Sequence, residues 1–192
     1  MSELKVRILA SGAHAHLSDA DLETLFGPGA QLEVVKILGD GKAGQFLSDK
    51  KVKLVCEKGS RMLSVLGPTR KESQIEVSFT EGRPLGVHPP ISDSGKLEGT
   101  LPCTLVGPAG QVDLPRGLMA ARRHIHLNEK DAEGTEFHDK DYVKVRVEGP
   151  RALDFDQVLV RIGKGSTVMH VDFDEMNAAG LVGEGIGHAY KD

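Results

Sequence analysis

His14-Ala15-His16-Leu17-Ser18-Asp19-Ala20-Asp21-Leu22-Glu23 and His124-Ile125-His126-Leu127-Asn128-Glu129-Lys130-Asp131-Ala132-Glu133 decide the fold of this chain. At one offset of 110 residues, both histidines, the leucine, an aspartate and a glutamate coincide. A helix-capping residue, Ser18 or Asn128, follows each leucine. Ser18 with Asp21 reads as a capping box opening a helix over Asp19–Phe26. Apolar strands follow at similar distances, Gln31–Leu38 after the first stretch and Tyr142–Glu148 after the second. The chain therefore reads as two related halves.

Working outward, the segments around both stretches are short and β-like. Lys5–Ser11, Val52–Glu57, Met62–Gly67, Gln74–Phe79, Cys103–Gly107, Phe155–Ile162 and Thr167–Phe173 are alternating or β-branched runs. Helical segments are few: Asp19–Phe26, Glu129–Glu133 and Asp174–Ala179. The expected class is mainly β, two pseudo-twofold-related β-barrel halves with short capping helices, because small all-β halves close on themselves to hide edge strands. The expected halves are residues 1–90 and 91–192, with strands open to exchange between them. The boundary is set in the linker-like stretch Pro89–Gly99.

Composition agrees. Of 192 residues, 23 are Gly and 9 Pro, only 4% are aromatic, and none is Trp. That suits a turn-rich chain of short strands better than a helical bundle. The balance of 24 Lys+Arg against 28 Asp+Glu argues against a nucleic-acid or membrane-surface protein. No apolar run approaches the ~20 residues of a membrane span, and the start MSELKVRILA reads as no signal peptide. Cys56 and Cys103 have no zinc-ribbon spacing and read as two reduced, mostly buried thiols.

His-x-His on a strand puts both imidazoles on one face, since side chains alternate with period two. One such pair is weak evidence for a metal; two at equivalent places in a repeat are stronger. His170, on the strand TVMHVDF, adds a fifth imidazole, and Glu76 in QIEV is the candidate carboxylate. Zinc, cobalt or nickel would suit mostly nitrogen ligands. His88, His138 and His188 read as solvated. Arg70-Lys71 and Arg122-Arg123 place cations near the histidine motifs, as an anion site beside a metal requires. Gly39–Gly44 matches GxGxxG, but the segment after it is too short for a crossover helix, so it reads as a turn. A cupin-like metalloenzyme would place its Glu a few residues after HxH, whereas Glu76 follows His16 by 60. An amidohydrolase barrel of ~250 residues is too long for this chain.

HAHLS, GPTRKESQIEVS, ARRHIHLNEKDA and MHVDFDEMNAAG, in that order, resemble the PduL-type phosphate propanoyltransferases, phosphotransacylases found with bacterial microcompartments and in some fermentative anaerobes. The resemblance runs from about Val6 to Leu181. It implies two β-barrels, a dinuclear zinc site (two ions per chain) and the reaction acyl-CoA + phosphate ⇌ acyl phosphate + CoA. Carried over by motif, the ligands would be His14, His16, Glu76, His124, His126 and His170. Arg70 would be the active-site arginine, and Arg123 the second cation. Contacts to coenzyme A would fall on Ser11, Lys36, Leu66 and Asn177. Ala13 stands where the family has Arg before the first HxH, and Ser64 where a basic residue often precedes Leu-Gly-Pro. These departures leave open a weakened paralogue acting as a metal- or CoA-binding or microcompartment-associated protein. Expected partners are acyl-CoA and phosphate, with a homodimer and microcompartment shell or cargo proteins as further expectations. The expected location is cytoplasmic, or within a microcompartment.

Overall fold

The computed structural model describes residues 3–38 and 44–191. In chain order the elements begin with β1 (Leu4–Ala10), β2 (His14–His16), α1 (Asp19–Phe26), β3 (Val34–Ile37), β4 (Phe46–Val55), β5 (Ser60–Gly67) and β6 (Gln74–Glu76). Then come α2 (Phe79–Gly82), a 3-10 turn (Arg83–Leu85), β7 (Ile91–Ser92), β8 (Leu101–Val106), β9 (Gln111–Ala121) and β10 (His124–Asn128). The chain ends with α3 (Glu129–Ala132), β11 (Tyr142–Val147), β12 (Leu153–Gly163), β13 (Val168–Val171), α4 (Phe173–Ala178) and β14 (Glu184–Tyr190). No helix among the described residues is long and apolar enough to cross a membrane. The Gly39–Gly44 turn falls largely on residues 39–43, outside the described residues.

Two compact units result. The first contains Gly12–Ala121. Its strands close in the order β4-β5-β2-β6-β9-β8 and back to β4, with β3 added outside β4 and β7 outside β9. The second joins the described residues up to Ser11 with those from Arg122 onward. It is a closed barrel in the order β1-β13-β10-β12-β11-β14. Strand alternation builds each interior. On β4, Val52 and Leu54 are buried while Lys51 and Lys53 are exposed. On β11, Val143, Val145 and Val147 are buried, alternating with Lys144 and Arg146. Closure leaves neither set of six strands with an open edge.

The two rings have the same plan. Each HxH strand, β2 or β10, has an antiparallel neighbour (β6, β13) and a parallel one (β5, β12). The strand that leads into each HxH, β1 or β9, lies in the ring that holds the other HxH. The chain therefore divides at Ser11–Gly12 and Ala121–Arg122, not in Pro89–Gly99. That stretch is turn-rich because it is a folded loop: Pro90 O accepts from Ala120 N, Ile91 and Ser92 pair with β9, and Leu97 is buried. The counterpart of β11 is β4, not the Gln31–Leu38 strand. Among the described residues β3 pairs only with β4, and its Val34, Val35 and Ile37 are exposed.

The helices start where their caps are. Ser18 Oγ accepts from Asp21 N (3.2 Å) to open α1. The Asp21 carboxylate accepts hydroxyl bonds from Ser18 (2.8 Å) and Ser73. Full capping boxes occur instead at Ser78–Glu81 and Asp172–Glu175. The first of these ends β6 at Glu76, short of the expected Phe79, because Ser78 turns the backbone into α2.

Candidate active site

In the Gly12–Ala121 unit, β2 turns Ala15 into the core and leaves His14 and His16 on the other face. The β2–β6 register sets Glu76 opposite His14 and Gln74 opposite His16. Ligand-capable atoms of His14, His16 and Glu76 all lie within 4.8 Å of one another, and all three residues are at most 9% exposed. His14 Nδ1 donates to Gly12 O (2.8 Å), which leaves Nε2 facing Glu76 Oε2 at 3.5 Å. An imidazole nitrogen and a carboxylate oxygen held this close can share one cation, a proton or a metal ion. His16 Nδ1 is buried without a hydrogen-bond partner. Burial first, then the charges of His14 and Arg70, push the His16 pKa down to about 2, so its ring is neutral. A buried, neutral imidazole is what a metal ligand must be before the metal arrives.

Gln74 ties this triad to its surroundings. Its Nε2 donates to Glu76 Oε1 and to Ser94 Oγ (2.9 Å), and its Oε1 accepts from Gly95 N (2.7 Å). Arg70 Nη1 donates to the same Ser94 Oγ (3.0 Å), while Arg70 N donates to Leu17 O (2.8 Å), just beyond His16. Ser94 and Gly95 come from the loop that composition marks as a linker. The sequence reading missed them and Gln74, because only strand register brings the three together.

The other unit repeats the pattern with a third histidine in place of the carboxylate. The β10–β13 register sets His170 opposite His124. Ring centroids are 4.8 Å apart for His124–His126, 5.5 Å for His124–His170 and 5.4 Å for His126–His170. His124 Nδ1 donates to the carbonyl two residues back, Arg122 O (2.8 Å), as His14 does to Gly12. Its Nε2 lies 3.1 Å from His126 Nε2. Burial, then the charge of Arg161, pushes the His124 pKa down to about 3 and lowers that of His126. Two ligands on one tetrahedral zinc are about 3.3 Å apart at bonds of roughly 2.0–2.1 Å. The 3.1 and 3.5 Å separations bracket that value. In kind, both donor sets, two or three imidazoles with at most one carboxylate, suit zinc; among the described residues only His14, His16 and Glu76, as a set of three, bring their ligand-capable atoms within 4.8 Å of one another.

Arg161, which sequence reasoning missed, is the register neighbour of His126 on β12. Its signal was a lone cation in the apolar run VLVRIG. Arg123 is differently engaged. Its Nε donates to Asp156 O (2.7 Å), its Nη1 pairs with Glu175 (2.7 Å), and its guanidinium lies 5.6 Å from the Phe155 ring centroid. Burial, and then the Asp172 charge, raise the Glu175 pKa against the pull of Arg123.

The other family-implied positions fall beside these clusters or further off. Leu66 follows Val65, the register partner of Ala15, and Lys36 is exposed on β3, two strands from Leu66 through Leu47. Ser11 N donates to Val171 O (2.7 Å), next to His170. Asn177 is exposed on α4. Ser64, one of the two departures, is the register partner of His14.

Comparison with known proteins agrees with this geometry. A family model described as phosphate propanoyltransferase matches residues 7–182. The phosphate propanoyltransferase of Clostridioides difficile (strain 630) is 44% identical over 93% of this chain and 85% of its own length. That of Enterococcus faecalis (strain ATCC 700802 / V583) is 44% identical over 95% and 86%. That of Thermotoga maritima (strain MSB8) is 48% identical over 89% and 82%. With two histidine clusters at equivalent register positions and matches of this extent, the chain belongs to the phosphate propanoyltransferase family of acyltransferases.

Proposed function

We propose that this phosphotransacylase works on a short-chain acyl-CoA, propanoyl-CoA or acetyl-CoA, and carries two zinc ions per chain, the dinuclear complement the resemblance implies. His14, His16 and Glu76 would hold one ion; His124, His126 and His170 the other. The observation that carries this reading is the buried His16 Nδ1 without a partner, in a triad whose ligand-capable atoms lie within 4.8 Å. Bound there, zinc would supply a fixed positive charge for oxygens that gain negative charge.

The protein's own residues supply the rest. Arg70 binds phosphate through its forked guanidinium and orients it, with Ser94 holding the fork. Arg161 adds a second positive charge beside His124 and His126. An anionic phosphate oxygen attacks the thioester carbonyl carbon, so no base is needed to strip a proton from the nucleophile. The new C–O bond forms, the C–S bond breaks, and CoA leaves as a thiolate that takes a proton from water. His16 and His124, held neutral by burial, move no proton. Arg123 acts as an anchor, joining β12 to the capping box of α4 through Asp156 O and Glu175.

A thiol-release assay with propanoyl-CoA and acetyl-CoA, each with and without phosphate, tests the reading. Phosphate-dependent release is expected; release without phosphate, or none, overturns it. A second reading, a weakened paralogue, draws on Ala13 and on Ser64 beside His14. If it holds, Ser64→Arg raises kcat/KM for acyl-CoA at least tenfold; an unchanged or lower value removes it.

A further inference from the structure

Cys56 and Cys103 take no part in the chemistry above, and both thiols are free. The β4–β8 ladder pairs Lys53 with Val106, Leu54 with Leu105 and Val55 with Thr104. One more step along that register sets Cys56 opposite Cys103. The hairpins on either side fix what kind of pair this is. Cys56 N donates to Gly59 O (2.9 Å), in the turn into β5, so its amide and carbonyl point away from β8. Gly107 N donates to Gly110 O (2.9 Å), in the turn into β9. Alternation along β8 then directs the polar groups of Leu105 and Cys103 toward β9, away from β4. Both strands independently make Cys56–Cys103 a non-hydrogen-bonded pair. In such pairs the Cα atoms are about 4.5 Å apart and the side chains closest. That lies inside the Cα window of about 4.4–6.8 Å that a disulfide spans.

The side chains also share a face. Val52 and Leu54 are buried on β4 and Cys56 continues their alternation; Leu105 and Cys103 do the same on β8. Both cysteines pack on the one apolar core of this barrel. Burial pushes the Cys103 pKa up, and a charge on Cys56 adds to that, to about 12. Each thiol therefore stands within electrostatic reach of the other.

We infer that Cys56 and Cys103 are a reversible disulfide site, closing across the β4–β8 seam when the protein meets a low-molecular-weight disulfide such as glutathione disulfide. Cys56, the more exposed thiol, reacts first. Its thiolate attacks one sulfur of the oxidant, forms a mixed disulfide and releases one glutathione. The Cys103 thiolate then attacks the Cys56 sulfur, which forms the intramolecular bond and releases the second glutathione. The protein pair loses two electrons and two protons, which reduce the oxidant to two thiols. Burial raises both thiol pKa values, so the thiolate fraction is small and exchange is slow. The site responds to sustained oxidant rather than to a pulse.

The test uses the full chain, held for hours with excess glutathione disulfide at pH 8.5 and a temperature below its melting point. The reaction is quenched with acid, and free thiols are alkylated after unfolding. Mass spectrometry should find the chain two hydrogens lighter, with Cys56 and Cys103 peptides joined. Its Tm should rise by roughly 5–10 °C, as expected for a staple that closes a long loop. Cys103→Ala should hold one glutathione on Cys56, and Cys56→Ser should keep Cys103 as a free thiol. A treated protein with both thiols still alkylated, or carrying only glutathione adducts or inter-chain dimers, overturns the inference. A glutathione adduct on Cys103 in Cys56→Ser overturns the order of attack.

Discussion

His170 holds the register position in the β10–β13 ladder that Glu76 holds in the β2–β6 ladder, each directly across from the first histidine of an HxH pair. The two proposed metal sets thus differ by one donor, an imidazole in place of a carboxylate. Elemental analysis should find about two zinc ions per chain. Glu76→Ala should weaken one ion at least tenfold while leaving the other, and His170→Ala should do the converse. Two ions retained with native affinity in Glu76→Ala would remove it from the donor set.

Arg70 is expected to act on the transition state, and Arg161 through the charge it places beside His124 and His126. Removing one well-placed charged donor typically costs ~10²–10³ in kcat. Arg70→Ala and Arg161→Ala should each fall in that range in steady-state assays. Arg70→Lys should recover only part, because a lysine cannot supply the fork whose Nη1 reaches Ser94. A change confined to Tm would make either arginine structural.

Gln74 bonds Glu76, Ser94 and Gly95 at once. Gln74→Leu should leave the barrel folded yet weaken zinc binding by roughly 10–100-fold, as loss of a supporting hydrogen bond does at metal sites. Competition with a calibrated chelator measures this. Unchanged affinity would show that Glu76 needs no such support.

Burial of His16 and His124 predicts a pH dependence for the metal-free protein. Their folded pKa values, about 2 and about 3, lie below an unfolded value of 6.5. Below pH 6.5 the unfolded chain therefore binds protons that the folded chain refuses. Stability is full above pH 6.5 and falls as pH drops toward the folded values. Denaturant titrations of metal-free protein at pH 7.5, 6.0 and 5.0 should show a monotonic loss, with about two protons taken up per molecule unfolded near pH 5. Zinc at saturating concentration should blunt the loss above the pH at which it dissociates. A flat profile between pH 7.5 and 5.0 would mean that these rings are not buried neutral.

Local chemistry was legible in the sequence and long-range register was not. The HxH pairs and the Ser18 cap are contained in a few adjacent residues, so the repeat and α1 could be read directly. β9 was hidden by Pro115 and Gly117, and β14 by Gly185 and Gly187. Those glycines have a packing reason: a Cβ on Gly187 would stand 2.5 Å from Val145 Cγ1 and 2.9 Å from Ile8 Cδ1. The motif RRHIH pointed to Arg123, but its guanidinium is engaged by Asp156 and Glu175. The cation beside His126 is Arg161, which only the β10–β12 register reveals. The Pro89–Gly99 loop looked like a linker because turns and linkers share a composition; Ser94 and Gly95 instead bond Arg70 and Gln74.

The crossing of β1 into the barrel of the last residues sets an order for the chain as it leaves the ribosome. The Gly12–Ala121 barrel has all six of its ring strands once Ala121 has left the ribosome, and it can then close. β1 must wait, because its neighbours β13 and β14 are synthesised last. At ~5–20 residues per second, the roughly 70 residues from Ala121 to Tyr190 take about 4–14 s to make, and until then β1 lacks its neighbours. β1 is thus made before every strand of the Gly12–Ala121 barrel, yet it pairs only after that barrel has all its strands.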